Sequence, residues 1–207
     1  MANIFYIHPD NPQRRLIRQA VDVLNQQGVI VLPTDSGYAL ATKIDNKKGQ
    51  DRMSAIRQLE KGHYFSLLCG DLAEIARFAR VDNAQYRLLK ALTPGGFTFI
   101  LKASQELPKR IFGSKRKTIG IRVPQSKIIH ALLTELGEPL LTTTLILPNE
   151  EISQMYIEDI YDCINRQVDL VIDGGGASFE PTTVLDISEG MPPVLIRQGQ
   201  GDASAFI

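Results

Sequence analysis

The sequence predicts an α/β protein in which helices pack on a twisted sheet of mixed parallel and antiparallel strands. Short apolar runs, such as residues 29–32 and 168–172, have the length and composition of buried strands. Amphipathic segments such as residues 12–27 alternate with these runs and have helical periodicity. Several strands are joined by tight turns, so a strict βαβ order is not expected. The 207 residues are enough for one domain with a substantial core.

Strands and helices alternate in the first half of the chain. A strand at residues 4–7 precedes a helix with Asn11 as its N-cap and Pro12 at its first position, which ends at Gly28. The following elements are a strand at 29–32, a polar turn, a helix at 47–59 and a buried strand at 65–69. Two short helices, at 72–78 and 83–92, lead to a Pro-Gly turn at 93–96 and a strand at 97–101.

Alternation of side chains is clearest at residues 118–123 in the second half. It places Ile119, Ile121 and Val123 on one face of a strand and Arg122 on the other, so we expect Arg122 on a solvated or ligand-lined face. The remaining predicted elements are a helix at 128–136 that ends at Gly137, a Thr-rich strand at 140–147, a helix at 157–164, and strands at 168–172, 182–187 and 194–197.

The composition limits the classes of function. The net charge is zero, so any polyanion site must come from local clustering of the 23 Lys and Arg residues. Cys69 and Cys163 belong to no C-x-x-C pair and are expected to be reduced core residues. The N-terminus does not have the form of a secretion signal, and no apolar run is long enough to cross a bilayer. We therefore expect a soluble, cytoplasmic protein with no membrane partner.

The segment at residues 33–40, Pro-Thr-Asp-Ser-Gly-Tyr-Ala-Leu, follows a buried strand. Pro33 fixes φ, Asp35 can bond nearby backbone, and Gly37 permits a positive φ. Local chemistry alone favours a simple hairpin turn. Tyr38 carries a hydroxyl on a rigid arm, which also suits a binding site.

The same segment resembles the P-T-D/E-T-x-Y-G-L signature of the YrdC/YciO family. Further segments match the family in its order: residues 93–101 resemble W/T-P-G-P-L-T-L-I-L, 121–124 resemble V-R-V-P, 180–186 resemble P-S-T-V-V-D, and 196–199 resemble I-R-x-G. The resemblance covers nearly the whole chain and implies a single YrdC-like domain over residues 1–207, similar to the YciO branch. The best-known members of the family make threonylcarbamoyl-adenylate for tRNA modification.

Two catalytic segments of the family are altered in this chain. Its active synthases carry a Lys-x-Arg pair, which falls here on Arg57-Gln58-Leu59, and a Ser-x-Asn pair, which falls on Thr144-Leu145-Ile146. The resemblance therefore implies catalytic roles for Arg57 and Thr144, whereas Leu59 and Ile146 lack the family's donor groups. Because one missing donor typically costs about a hundredfold to a thousandfold in rate, we expect weakened or altered catalysis.

The resemblance also implies a substrate and nucleotide cavity. Its lining would consist of Thr34, Tyr38, His63, Thr98, Arg122 and Arg197. Thr98 and Thr144 could equally be ordinary strand residues. Arg122 and Arg197 are harder to explain in that way, because an arginine beside a strand needs an anionic partner.

A cluster of basic residues makes one loop positive. Its members are Lys109, Arg110, Lys115, Arg116 and Lys117. The cluster is either a solvated loop or a phosphate-binding surface, and these alternatives are about equally favoured. As a phosphate-binding surface it would contact the backbone of structured or double-stranded RNA, recognising A-form shape rather than base edges.

Three functional hypotheses remain. The preferred one is a YciO-type protein that binds a nucleotide and structured RNA, with little or no synthase activity. The second is a working synthase that uses ATP with magnesium, L-threonine and bicarbonate in tRNA modification. The third is a small-molecule binding module without an RNA partner. No tightly bound cofactor or metal is expected, since the three histidines are isolated and Gly174-Gly175-Gly176 lacks the G-x-G-x-x-G spacing.

Overall fold

One sheet of mixed strand direction runs through the protein. The computed structural model describes residues 1–59, 65–111, 117–147, 156–176, 178 and 180–207. In this part of the chain the strands are β1 Asn3–Tyr6, β2 Ile30–Thr34, β3 Gly37–Lys43, β4 Ser66–Leu68, β5 Ala79–Arg80, β6 Phe97–Ala103, β7 Thr118–Arg122, β8 Leu140–Thr144, β9 Leu170–Asp173, β10 Thr183–Asp186 and β11 Val194–Arg197. The helices are α1 Arg14–Asn25, α2 Lys47–Ile56, α3 Leu72–Phe78, α4 Asn83–Leu92, α5 Lys127–Leu136 and α6 Ile157–Ile164. The predicted α/β class with a mixed sheet is confirmed.

The strand order mixes parallel and antiparallel neighbours. It is β1-β9-β2-β3-β8-β4-β7-β6-β10-β11, and β5 pairs with β6 outside this path. The parallel pairs are β1 with β9, β2 with β9, β4 with β7, and β6 with β10. The tight turn between β2 and β3 joins antiparallel strands, as the turn chemistry at residues 33–37 predicts.

Helices cover the two faces of the sheet unequally. Apolar side chains of α2, α3, α4 and α6 pack on one side, which we call the core face. On the other side α1 and α5 pack over β1, β9, β2 and β3, and their apolar cluster extends only to Leu68 of β4 and Leu140 of β8. Beyond that point the described helices leave the sheet uncovered, and Ser66, Thr98 and Gly120 line a cavity there. We call this uncovered side of β4, β7, β6 and β10 the open face.

The start of α1 differs from the prediction. The helix begins at Arg14, two residues after Pro12, and Gln13 takes the N-cap position without a side-chain capping bond. The imidazole Nδ1 of His8 accepts hydrogen bonds from the backbone N–H groups of Asp10 and Asn11, both at 3.1 Å. The residue expected to cap the helix is therefore held in a preceding turn by a side chain that capping rules do not consider.

Other differences from the predicted elements are local. Helix α2 ends at Ile56 rather than at Leu59, and the backbone turns left-handed at Gln58, where φ is 50°. The two-residue strand β5 was not predicted. Cys69 is buried as expected, whereas Cys163 is exposed on α6. Among the described helices, none combines the length and apolar character needed to span a membrane.

Candidate functional site

A buried ion pair lies where β7 ends. Alternation along β7 directs Arg122 away from the core face, as predicted, and its exposed fraction is only 8 %. Its Nη2 donates to a carboxylate oxygen of Asp35 in the turn between β2 and β3. The other Asp35 oxygen accepts from the backbone N–H of Gln125 at 3.3 Å. The Arg122 Nε is buried and has no partner among the described residues, so one of its donors is available.

A second arginine reaches the same region from the edge of the sheet. Arg197 of β11 donates from Nε and Nη2 to the carbonyl of Thr182, at 3.1 and 2.9 Å. Burial lowers the pKa of Arg122, Asp35 opposes that change, and the positive charge of Arg197 lowers the pKa further. The positive charge of Arg197 therefore acts on Arg122. Arg122 pairs with Asp35, whereas the hydrogen bonds of Arg197 go to Thr182.

Two threonines connect the arginines across the strands. The antiparallel register Phe99↔Ile121 puts Thr98 beside Arg122. The Thr98 and Thr182 hydroxyls are 2.8 Å apart, and Nη2 of Arg197 lies 3.3 Å from the Thr182 hydroxyl. We call Asp35, Thr98, Arg122, Thr182 and Arg197 the arginine–threonine cluster. The structure thus brings three predicted site residues together: Thr98, Arg122 and Arg197.

The turn that supplies Asp35 is held at both ends. The Thr34 hydroxyl donates to the carbonyl of Gly37 at 2.7 Å and accepts from the backbone N–H of Ser36 at 3.1 Å. Gly37 has φ of 100°, which explains the glycine at this position. The Gln200 side chain donates to the Asp35 carbonyl at 2.9 Å. Thr34 is therefore a structural member of the turn that positions Asp35.

Sequence reasoning gave no site role to Asp35, Thr182 or Gln200. Thr182 belongs to a segment that resembles the family, which was a usable signal. Gln200 lies beyond every matched motif. A Cβ at Gly96 would approach the Gln200 side chain to 2.4 Å, so the glycine at 96 makes room for it.

Two cavities lie beside the cluster. One, of about 980 Å³, is lined by Thr34, Asp35 and the residues around the start of α5, at the carboxyl ends of several strands. The other, of about 760 Å³, lies on the open face and includes Thr98. In open α/β sheets, ligands typically bind at the carboxyl ends of strands. Both cavities are large enough for a small-molecule ligand.

Three other predicted residues lie elsewhere. Tyr38 is buried on the core face, where burial and then the carboxylates of Asp173 and Glu158 raise its pKa to about 12. Arg57 donates from Nη1 to the Thr143 hydroxyl at 2.8 Å. Thr143 shares the core side of β8 with Leu141, whereas Thr144 is exposed on the other side. Arg57 therefore contacts Thr143 and not the adjacent Thr144.

Leu59 and Ile146 replace the family's donor residues, and their surroundings differ. Leu59 packs partly buried against the apolar cluster of the core face. The Ile146 side chain is 38 % exposed just after β8. His63 lies outside the described residues. Within the described part of the chain, no group of three or more His, Cys, Asp and Glu side chains could hold a metal ion.

The residues of the predicted basic cluster differ in their surroundings. The Arg110 guanidinium donates to the carbonyl of Ile44, and the Arg110 carbonyl accepts from Gln50 Nε2 at 3.2 Å. Lys109 is exposed. Lys117 is also exposed and lines the open-face cavity that contains Thr98. Lys115 and Arg116 lie outside the described residues.

Comparison with known proteins assigns the family. The Sua5/YciO/YrdC family model, described as "Telomere recombination", matches residues 22–199. An uncharacterized protein of Haemophilus influenzae is 54 % identical, and the uncharacterized protein YciO of Escherichia coli K12 is 51 % identical, each with full coverage of both chains. A threonylcarbamoyl-AMP synthase of Vibrio vulnificus is 24 % identical over 88 % of this chain and 98 % of its own.

Solved structures show the same fold. The crystal structure of E. coli YciO superposes with a TM-score of 0.94 over the full length of both chains. Sua5 of P. abyssi, complexed with L-threonine, gives a TM-score of 0.80 at 20 % identity, over 95 % of this chain and 57 % of that one. The chain belongs to the Sua5/YciO/YrdC family, which includes relatives of the threonylcarbamoyl-AMP synthases.

Proposed function

We propose that this protein binds a nucleotide or a related small anion at the arginine–threonine cluster and structured RNA on its basic surface. Catalysis of threonylcarbamoyl-adenylate synthesis is weakened or altered. The observation that carries the proposal is the buried Arg122, which pairs with Asp35, has an Nε without a partner among the described residues, and is influenced by the positive charge of Arg197. The cluster contains two guanidinium groups, that of the buried Arg122 and that of the exposed Arg197, and one carboxylate. An anionic ligand would balance the excess positive charge.

The donors of the cluster suit an anion with several oxygens. The Nε of Arg122 has no partner among the described residues, and the Thr98 hydroxyl lies on the neighbouring strand. Phosphate and carboxylate groups accept such charge-assisted hydrogen bonds more strongly than neutral groups do. The family relationship to threonylcarbamoyl-AMP synthases makes ATP, with magnesium, the first nucleotide to test.

Weak or altered catalysis follows from the missing donors. The synthase reaction of the family joins bicarbonate, L-threonine and ATP, and so concentrates negative charge. Leu59 and Ile146 cannot donate a hydrogen bond to that charge, and Arg57 donates to Thr143 on the core face. A site without preorganised donors loses a large share of transition-state stabilisation.

RNA binding rests on the exposed lysines of the basic cluster. Lys109 and Lys117 are exposed, and Lys117 borders the open face. A protein that neutralises several phosphates loses RNA affinity steeply as salt rises, between about 50 and 200 mM. A hairpin RNA that fails to bind even at the low end of that range would contradict this half of the proposal and favour a small-molecule binding module.

Anion binding at the cluster is tested with Arg197→Met. Calorimetry with ATP and with inorganic pyrophosphate should show affinity reduced about tenfold or more, since a hydrogen bond to a charged group contributes about 1.5–3 kcal/mol. Arg166→Met, which removes an exposed arginine just after α6, is the matched control. Equal affinities for the two variants would exclude the cluster as the binding site.

Catalysis is tested by pyrophosphate release from ATP, with L-threonine and bicarbonate supplied together and each omitted in turn. We expect little release from the natural protein and increased release from the variant Leu59→Arg/Ile146→Asn. The pair Leu136→Arg/Ile207→Asn makes the same changes at comparably exposed positions and should not increase release. Release from the natural protein that requires both substrates would instead establish the alternative, a working synthase.

A further inference from the structure

Three basic residues from distant parts of the sequence form a row on the open face. Arg80 of β5 is the register partner of Lys102 of β6. Lys102 is in turn opposite Thr118 of β7, and Lys117 immediately precedes that threonine. All three basic side chains are exposed and line the same cavity of about 760 Å³. We call Arg80, Lys102 and Lys117 the basic row.

The basic row is electrostatically unfavourable in the protein alone. Like charges directly opposite each other on antiparallel strands destabilise the pair, and Arg80 and Lys102 are such residues. Neighbouring strands are only about 4.8 Å apart. Of the described carboxylates, only that of Glu189 lies within ion-pair distance of the row, 3.2 Å from Nζ of Lys102. The Glu189 side chain is 86 % exposed, so this pair contributes little.

Two carboxylates line the same cavity as the basic row. Asp186 is the last residue of β10, and Glu189 follows shortly after it. The Asp186 carboxylate accepts the backbone N–H of Ser188 at 2.8 Å. Among the described residues that line the cavity, the three cations of the row outnumber these two carboxylates, so the cavity wall has a net positive charge.

We propose that the basic row binds the sugar-phosphate backbone of structured RNA, with Arg80 and Lys102 each contacting a phosphate. The inference rests on the RNA-binding function proposed above and adds residues to it. Exposed, flexible cations arranged across strands fit an extended polyphosphodiester better than a small enclosed anion. Lys117 joins this row to the basic loop, while Arg110 is held by the carbonyl of Ile44.

The test measures the affinity of the full chain for a hairpin RNA with a stem of about 16 base pairs, the length that a small duplex-binding domain covers. Arg80→Ala and Lys102→Ala should each weaken binding about fivefold at about 0.1 M salt, and each should reduce the slope of log affinity against log salt by about 1. Lys102→Arg keeps the charge and should keep the slope.

Two further variants distinguish RNA binding at the basic row from a general effect of the protein's net charge. Arg14→Ala removes an exposed positive charge from α1 and should leave the slope unchanged. Glu189→Gln removes the ion-pair partner of Lys102 and should increase RNA affinity.

If the natural protein binds the RNA but Arg80→Ala and Lys102→Ala behave like Arg14→Ala, the inference is wrong and the proposed RNA-binding function stands. If the natural protein binds no RNA at low salt, both are wrong.

Discussion

Two partly or fully buried arginines of this protein, Arg122 and Arg57, point to opposite faces of the same sheet. Each has an Nε without a partner among the described residues, and burial lowers the pKa of each. Arg122 bonds a carboxylate and lies close to a second guanidinium group. Arg57 bonds the neutral hydroxyl of Thr143 on the core face. The two environments therefore differ in charge as well as in burial.

The difference bears on which of these two sites the proposed anion would occupy. In the arginine–threonine cluster two guanidinium groups accompany one carboxylate, so the proposed anion would interact favourably with both guanidinium groups. At Arg57 the core-face helices pack nearby, and the hydroxyl partner is already in place. The hydrogen bond of Arg57 to Thr143 is consistent with the weakened catalysis proposed above.

The largest loss of stability is expected when the carboxylate of the Asp35–Arg122 ion pair is removed. Asp35→Ala leaves the buried Arg122 without its partner and should lower the free energy of unfolding by about 3–5 kcal/mol. Chemical denaturation measures this loss. Adding inorganic phosphate or ATP should restore part of it, because a ligand that binds only the folded state stabilises that state.

The control for Asp35→Ala is the double variant Asp35→Ala/Arg122→Met. It removes both charges and should be more stable than Asp35→Ala alone, since a buried pair can often be replaced by apolar groups at little cost. Two results together would contradict the prediction: a double variant no more stable than Asp35→Ala, and no stabilisation of Asp35→Ala by phosphate. They would show that the Arg122 charge does not require an anionic partner.

A smaller effect is expected at Arg57. Arg57→Met removes one hydrogen bond to a neutral hydroxyl and should lower the free energy of unfolding by about 1 kcal/mol. Thr143→Val, measured alone and combined with Arg57→Met, gives the coupling energy of the pair. A loss at Arg57 as large as that at Asp35 would break the comparison, because it would show that Arg57 also carries a charge in need of a partner.

Local patterns were sufficient to predict most of the fold. Period-two alternation placed Arg122 off the core face, and the turn chemistry at residues 33–37 placed a hairpin between β2 and β3. The start of α1 was missed because a side chain from outside the helix decided it. That residue is His8, which holds the turn before α1.

The site could be predicted only in part, because its contacts join distant segments. Arg122 and its partner Asp35 are 87 residues apart, and Gln200 reaches Asp35 across 165 residues. Matching motifs identified Arg122, but no local pattern could indicate its partner. Motif matching also gives a position without a side-chain direction. It could assign roles to Arg57 and Thr144 but could not show that the hydroxyl partner of Arg57 is Thr143.

The smallest expected change in stability concerns Tyr38 on the core face and is measurable only at high pH. Burial, together with Asp173 and Glu158, raises the pKa of Tyr38 from 10.0 to about 12. Between pH 10 and 12 the unfolded chain loses this proton while the folded protein keeps it, so the stabilisation present below pH 10 is lost as pH rises through 12. Tyr38→Phe should remove this part of the pH dependence in denaturation experiments, whereas Tyr86→Phe, at an exposed position on α4, should leave it unchanged. If Tyr38→Phe retains the full alkaline loss of stability, Tyr38 is not held as a neutral core residue, and the core face is more open to ions than its contacts indicate.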